Sequence, residues 1–223
     1  MQNAAKLWYF EQFDLIKALS KADKLKIADQ VVSQHYKKDD PIMFPFNSQR
    51  RIYMLKTGMV KIGNYTDTGE ENLKFVLNRG NIFGEMALVD GNSNDFAVAV
   101  DHCIICSMPV DALTEFMTIN PAFNACIHKL IGTRLRRLET KLANIVFKDS
   151  TTRVVEFLKE LSNDFGEQKE GAIWVKNFLT NKEIAKLTFT SRQTVSSVLN
   201  KLKRNGCITY DEHYIQIIDL QNR

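Results

Sequence analysis

The stretch TNKEIAKLTFTSRQTVSSVLNKLKR, residues 180–204, decides how the C-terminal part of this chain folds. Thr180 with Glu183 three residues on is a capping box, in which hydroxyl and carboxylate each satisfy an amide left open at a helix start. Ile184, Ala185 and Leu187 supply an apolar face at helical spacing, with small Ala185 where a partner helix approaches. The first helix is expected to end near Leu187. Thr188, Phe189 and Thr190 break the pattern, and Ser191 caps a second helix. That helix shows Arg192, Gln193, Ser196 and Ser197 on one face and Val195, Val198, Leu199 and Leu202 on the other. Two short helices joined by a tight turn, with hydrogen-bonding groups along the second, predict a helix-turn-helix shaped for a DNA major groove.

An ordinary helical hairpin in a core has the same spacing, so the flanking chemistry matters. Lys182, Lys186, Lys201, Lys203 and Arg204 surround the hairpin and only Glu183 opposes them. Phosphate neutralisation needs this bias and a core does not. After Gly206, the alternation in Cys207–Tyr210 and Tyr214–Ile218, split by Asp211-Glu212-His213, predicts a β-hairpin, which makes the unit a winged helix. Upstream, Asp149 or Ser150 caps a helix carrying Val154, Val155, Phe157, Leu158 and Leu161, and Ile173-Trp174-Val175 predicts a short strand.

From Pro121 to Asp149 the period is helical without a breaker. Ile131, Leu135, Leu138, Leu142 and Ile145 recur at alternating spacings of four and three, a narrow seam of the kind two helices share. Arg134, Arg136, Arg137, Lys141 and Lys148 leave too little apolar surface for burial all round. A dimerisation helix is therefore expected.

Residues 7–32 read as helix, with Leu7, Phe10, Phe13, Ile16 and Leu19 on one face. The texture then turns to β in short apolar runs at Ile42–Phe44, Ile52–Leu55, Met59–Ile62, Asn72–Leu77, Phe96–Val100 and Cys103–Met108. Turn clusters such as Thr57-Gly58, Thr66-Asp67-Thr68-Gly69 and Asn78-Arg79-Gly80-Asn81 stand between them. Even spacing of many short strands predicts a barrel or sandwich.

The 223 residues, 44% hydrophobic and 25% charged, suit two modest globular domains. The net charge of +4 and a pI near 8.8 are compatible with a polyanionic partner without requiring one. No segment is apolar for long enough to span a bilayer and no signal-peptide pattern opens the sequence, so a cytoplasmic protein without membrane association is expected. Cys103 and Cys106 form a Cys-x-x-Cys pair, but on a strand residues three apart face opposite ways, which disfavours shared metal ligation. Cys126 and Cys207 are solitary, so structural thiols are expected.

Barrel, long helix and winged helix, in that order, resemble the CRP/FNR family of bacterial transcription regulators over nearly the whole chain. Three local matches carry the resemblance: Tyr53–Lys61 around Gly58, similar to the family's strand-turn-strand; Gly80–Leu88, which looks like the entrance to its phosphate-binding cassette; and Ser191–Ser196, which resembles its recognition helix. The resemblance implies an α+β fold: an N-terminal double-stranded β-helix (jelly-roll) barrel sensing an effector over residues 1–119, a dimerisation helix over 120–148 and a winged helix-turn-helix over 149–223. It implies no enzymatic activity. It further implies a homodimer on a near-palindromic double-stranded site, with half-sites about 34 Å apart, and RNA polymerase as a further partner. Arg192, Gln193, Ser196, Ser197, Thr180, Ser191 and Lys201 are the expected DNA contacts. Many relatives carry arginine where Ser197 stands, so one guanine contact is expected to be missing.

The implied effector pocket comprises Gly84, Glu85, Met86, Ala87, Asp95, Phe96 and Leu138. In cyclic-nucleotide-binding members an Arg-Ser or Arg-Thr pair holds the cyclic phosphate. In this register those positions are Asp95 and Phe96, and the polar pair on the dimer helix falls on Leu138 and Glu139. A carboxylate facing a phosphate replaces a charge-assisted bond with repulsion, so an effector other than cyclic AMP, or none, is expected. No cysteine precedes Cys103, which removes the N-terminal ligands of the family's iron-sulfur members. A haem-sensing or other redox- or gas-sensing member stays open as an alternative, with His102, His128 and several methionines as axial candidates for haem. From a different class, a cupin-type barrel enzyme needs clustered metal ligands, and His35, His102, His128 and His213 show no clustered spacing.

Overall fold

The computed structural model describes residues 19–45, 50–89, 94–169 and 171–220. The chain divides into two compact units, Met1–Arg137 and Leu138–Arg223.

The first unit contains eight described strands: β1 (Val32–Tyr36), β2 (Pro41–Met43), β3 (Arg51–Thr57), β4 (Val60–Tyr65), β5 (Glu71–Leu77), β6 (Ile82–Phe83), β7 (Asp95–Ala99) and β8 (Cys103–Pro109). They pair antiparallel into two four-stranded sheets, ordered β1-β8-β3-β6 and β2-β7-β4-β5. Neither sheet closes on itself or on the other through described ladders, so of the barrel or sandwich expected from the strand spacing the described residues form a pair of open sheets, and the jelly-roll barrel is not closed.

Alternation along the strands builds two cores. Tyr53 and Leu55 of β3 and Cys103 and Ile105 of β8 point at the second sheet and meet Val60, Ile62, Leu77, Ala97 and Ala99. Ile52, Met54, Cys106 and Met108 point the other way. There they meet α1 (Lys21–Gln30), α2 (Val110–Ile119) and the start of α3 (Pro121–Phe147) through Ile27, Ala28, Leu113, Phe116, Phe123 and Ile127. Burial on both faces explains why β3 and β8 read as continuous apolar runs rather than alternating ones. Each fully buried Leu, Ile or Phe of these layers contributes roughly 1.5–3 kcal/mol. Cys103 and Cys106 lie in different cores, as their spacing demanded, and burial pushes the Cys103 thiol up to about 11.

The hairpin between β3 and β4 depends on Gly58, whose φ is +90°. A Cβ there would sit 2.6 Å from both Cys103 Sγ and the His102 carbonyl. The predicted helical face through Leu7, Phe10, Phe13 and Ile16 lies outside the described residues. The helix that is described, α1, starts at Lys21 behind the Ser20 cap, and the chain has turned to strand by Val32. α2 occupies residues 110–119, which fall within the span expected to be barrel.

α3 runs the length expected, and Asn120 caps it by accepting the Phe123 amide at 3.0 Å. Ile131, Leu135, Leu138 and Leu142 are exposed along it, Leu135 at 57% and Leu142 at 63%, while Ile145 is half-buried.

The second unit begins within α3 and continues with α4 (Ser150–Phe165), β9 (Glu167–Lys169), β10 (Ala172–Lys176), α5 (Asn181–Thr188), α6 (Arg192–Arg204), β11 (Ile208–Tyr210) and β12 (Tyr214–Ile217). Asp149 caps α4 by accepting from the Thr152 amide at 3.0 Å. The wing is a four-stranded antiparallel sheet, β11-β12-β10-β9, larger than the predicted hairpin by the pairing of β10 with β12 and by β9.

Candidate nucleic-acid interface and effector pocket

Local chemistry forms the helical hairpin as its spacing required. The Thr180 amide donates to Glu183 Oε2 at 2.7 Å and the Glu183 amide donates to Thr180 Oγ1 at 3.2 Å, closing the capping box. Ser191 Oγ accepts the Thr194 amide at 3.0 Å and starts α6. Val195, Val198, Leu199 and Leu202 are buried, which turns Arg192, Gln193, Ser197, Asn200, Lys201 and Arg204 outward. Gln193, Ser197, Asn200 and Arg204 fall one helical turn apart, so they form a single exposed polar stripe.

Three expected contacts are also structural. Thr180 and Ser191 spend their hydroxyls on caps. Ser196 is half-buried and accepts from Asn181 Nδ2 at 3.0 Å, a bond that ties the start of α5 to α6. The sequence reading missed Asn181 and Asn200. Asn200 Oδ1 accepts from the Tyr210 hydroxyl at 3.0 Å, and Lys203 Nζ lies 4.7 Å from the centre of the Tyr210 ring, which fastens the wing to the exposed helix. The stripe spacing on α6 was the signal available for Asn200; no local pattern marks Asn181.

In the first unit, Gly84 adopts φ +84° and leads into a 3-10 turn, Glu85–Leu88. A Cβ on Gly84 would lie 2.7 Å from the Arg51 carbonyl, so only glycine lets this turn lie against β3. The Ala87 carbonyl accepts from Arg50 Nη2 at 2.6 Å, and Met86 is exposed. Glu85 Oε1 pairs with Arg134 Nη1 at 2.5 Å, their side chains only 14% and 20% exposed. Arg134 also donates to the Ile82 carbonyl and lies 5.9 Å from the centre of the Phe75 ring.

Beside this pair, Lys74 Nζ meets Asp95 Oδ1 at 2.5 Å. The register of β4 on β5 passes from Ile62↔Phe75 to Gly63↔Leu73, leaving Lys74 as the extra residue of a bulge, the kind of irregularity that re-aims a side chain. Burial holds the Glu85 carboxyl above its ordinary range, with Arg134 pulling it back and Asp95 adding to the rise. Burial likewise lowers the Arg134 guanidinium against the pull of Glu85. Desolvation thus outweighs attraction at both ends of the pair.

Of the expected pocket residues, Glu85 and Asp95 share one electrostatic neighbourhood. Phe96, one position along β7, is turned from it: its buried ring packs against Tyr65 at 5.1 Å. Leu138 belongs to the second unit and is exposed. His102 has its ring 5.6 Å from that of His35, and His128 lies on α3; all three are exposed. Among the described residues no three His, Cys, Asp or Glu side chains gather as metal ligands, and no helix is long and apolar enough to cross a membrane.

A capped helix-turn-helix with a polar outer stripe and a wing, in a chain that also carries eight described strands in two antiparallel sheets, defines a DNA-binding transcription regulator. The family model for the cyclic nucleotide-binding domain matches residues 33–120, and that for the Crp-like helix-turn-helix domain matches residues 152–222. The CRP-like cAMP-activated global transcriptional regulator of Mycobacterium tuberculosis is 33% identical over 170 residues, 76% of each chain. The global nitrogen regulator of a Nostoc species is 26% identical over 189 residues, 83% of this chain and 85% of the relative. A solved structure of a CooA mutant from Carboxydothermus hydrogenoformans superposes with a TM-score of 0.70 at 25% identity, covering 92% of this chain and 88% of that one. FixK2 from Bradyrhizobium japonicum shares the fold at a TM-score of 0.74, with 18% identity over 86% of this chain and 94% of its own. The chain belongs to the CRP/FNR family of transcription regulators, which sets the cupin-type enzyme aside.

Proposed function

We propose that the protein acts as a homodimer whose two α6 helices read successive major grooves of a near-palindromic site, and that it responds to an effector other than cyclic AMP or to none. The outward stripe on α6 carries the DNA reading. In this reading Arg192 gives two hydrogen bonds to a guanine and Gln193 pairs with an adenine, with Ser197 making a shorter contact and Lys201 a phosphate contact. Ser196 orients α6 through Asn181, and Thr180 and Ser191 serve as caps from which nearby amides can reach phosphate.

The exposed seam Ile131, Leu135, Leu138, Leu142, with Ile145, supports the dimer: apolar side chains at coiled-coil spacing are costly to leave in water and match a second copy of themselves. We read residues 1–119 as the sensing domain, 120–148 as the dimer helix and 149–223 as the reading head. The sheet orders 1-8-3-6 and 2-7-4-5 support a jelly-roll strand path for the sensing domain. A DNA reader works where the chromosome is, which supports a cytoplasmic location, and RNA polymerase is the partner through which we infer that it acts.

The mycobacterial relative's cyclic AMP is not carried over, because of the charge inventory of the pocket. Lys74 already faces Asp95 and Arg134 already faces Glu85, so a phosphate entering here meets two carboxylates and cations that are already engaged. Selection of bound fragments from a genomic library tests the DNA reading and yields the operator. A near-palindromic motif supports the proposal, and an unstructured set of fragments overturns it.

A further inference from the structure

The turn of the helix-turn-helix holds a feature that recognition of bases does not require. Phe189, between α5 and α6, has φ +53° and ψ +50°, a left-handed conformation that side-chain-bearing residues adopt at a steric cost and that helix ends usually give to glycine. Its ring is half exposed, yet Lys141 of α3 places Nζ 5.2 Å from the ring centre. Lys141 is itself half-buried, and burial holds its ammonium below the ordinary value, with Glu160 of α4 drawing the other way. A desolvated cation over an aromatic face is the stronger form of this contact.

A second set of bonds converges on the same turn. The Arg153 guanidinium, one helical turn into α4, donates to the Thr188 carbonyl at 2.9 Å, to the Phe189 carbonyl at 2.8 Å and to the Lys148 carbonyl at 2.7 Å. Lys148 is the last residue before the α4 cap, directly after α3 ends. The left-handed step at Phe189 follows Thr188, and one planar donor group takes the carbonyls of both residues, a geometry suited to the fixed fork of arginine. One side chain therefore bonds the junction of α3 and α4 and the turn that carries α6.

We propose that Lys141, Phe189 and Arg153 form a latch that fixes the direction of the recognition helix relative to the seam end of α3, and that they are positioning residues for DNA reading. All three lie in the second compact unit, together with the seam residues Leu138, Leu142 and Ile145. Once two copies join along that seam, the latch sets the separation and rotation of the two α6 helices, and thus which half-site spacing the dimer accepts. The inference rests on the dimeric reading proposed above.

The test uses the full-length chain, the duplex recovered by genomic selection, the same duplex with two base pairs inserted between half-sites, and a duplex with one half-site. Two base pairs rotate one half-site by roughly 70° about the duplex, given about 10 base pairs per turn. The wild type is expected to bind the native spacing at least about 50-fold more tightly than the insertion, since simultaneous engagement is lost when geometry forbids it. Lys141→Met and Arg153→Gln are each expected to shrink that ratio by about fivefold or more while leaving single half-site affinity within about twofold. Lys141→Arg, which keeps the cation on the ring, restores the ratio. An unchanged ratio in both variants, or an equal loss on all three duplexes, overturns the latch. A wild type that is itself indifferent to spacing removes the dimeric reading, and the latch with it.

Discussion

Replacing Arg134 by methionine breaks the ion pair that joins α3 to the 3-10 turn at Glu85. Arg134 loses three partners in one step: the Glu85 carboxylate at 2.5 Å, the Ile82 carbonyl and the Phe75 ring. Breaking a buried pair costs 3–5 kcal/mol because the surviving charge stays desolvated. With side-chain exposures of 20% and 14%, solvent relieves a modest part of that, and about 3 kcal/mol at neutral pH is expected. Two further outcomes separate this cause from a packing loss. The double variant Arg134→Met with Glu85→Met is expected to recover most of the stability, because burial outweighs attraction at both ends and an apolar pair removes the desolvation.

The pH dependence has a definite sign. Glu85 has its folded pKa raised by burial, so its contribution is fully present below the unfolded carboxyl value and is lost as pH rises through the folded value. Removing Arg134 takes away the attraction that lowers this pKa, so the single variant loses more stability at pH 8 than at pH 5.5. Urea unfolding followed by circular dichroism at both values measures this, and amide exchange at Ile82–Phe83 locates the loss. Costs that simply add in the double variant, with no difference between the two pH values, would show that the pair does not behave as a buried charge couple.

Arg192→Ala is expected to cost roughly 1–3 kcal/mol in DNA affinity and to relax choice at one base pair, whereas Lys201→Ala weakens binding to all sequences alike; gel-shift competition distinguishes the two. Thr180→Ala removes the hydroxyl half of the capping box and should lower stability by about 1 kcal/mol in thermal unfolding. Titration calorimetry with cyclic AMP is expected to show no binding at micromolar concentration, and micromolar or tighter affinity would require the Lys74–Asp95 pair to open for an anion.

Local signals made the reading head legible. The capping box at Thr180 and Glu183, the Ser191 cap and the apolar positions of α6 act within a few residues of each other, so spacing alone foretold them. α3 was legible for the same reason. β1 was not, because Ser33, Gln34 and His35 are exposed and show no alternation; that strand exists through its pairing with β8. β6 is only two residues long and takes its form from β3. The polar cluster was half legible: Glu85 and Asp95 were marked as a site. Their partners come from a bulge in β5 and from α3, and no local pattern reports that Lys74 and Arg134 converge there. Phe96 was assigned by counting along the family register, but strand alternation turns it to the face opposite Asp95. The direction of Ser196 toward Asn181 is likewise a product of helix packing, invisible in either segment alone.

The mass of the complex between the full chain and a duplex bearing one selected operator, determined by sedimentation equilibrium, bears on the whole scheme. Two chains on one duplex, with affinity falling steeply as salt rises, is the outcome expected of a seam-joined pair of reading heads. One chain per duplex, or binding indifferent to sequence and salt, would contradict it.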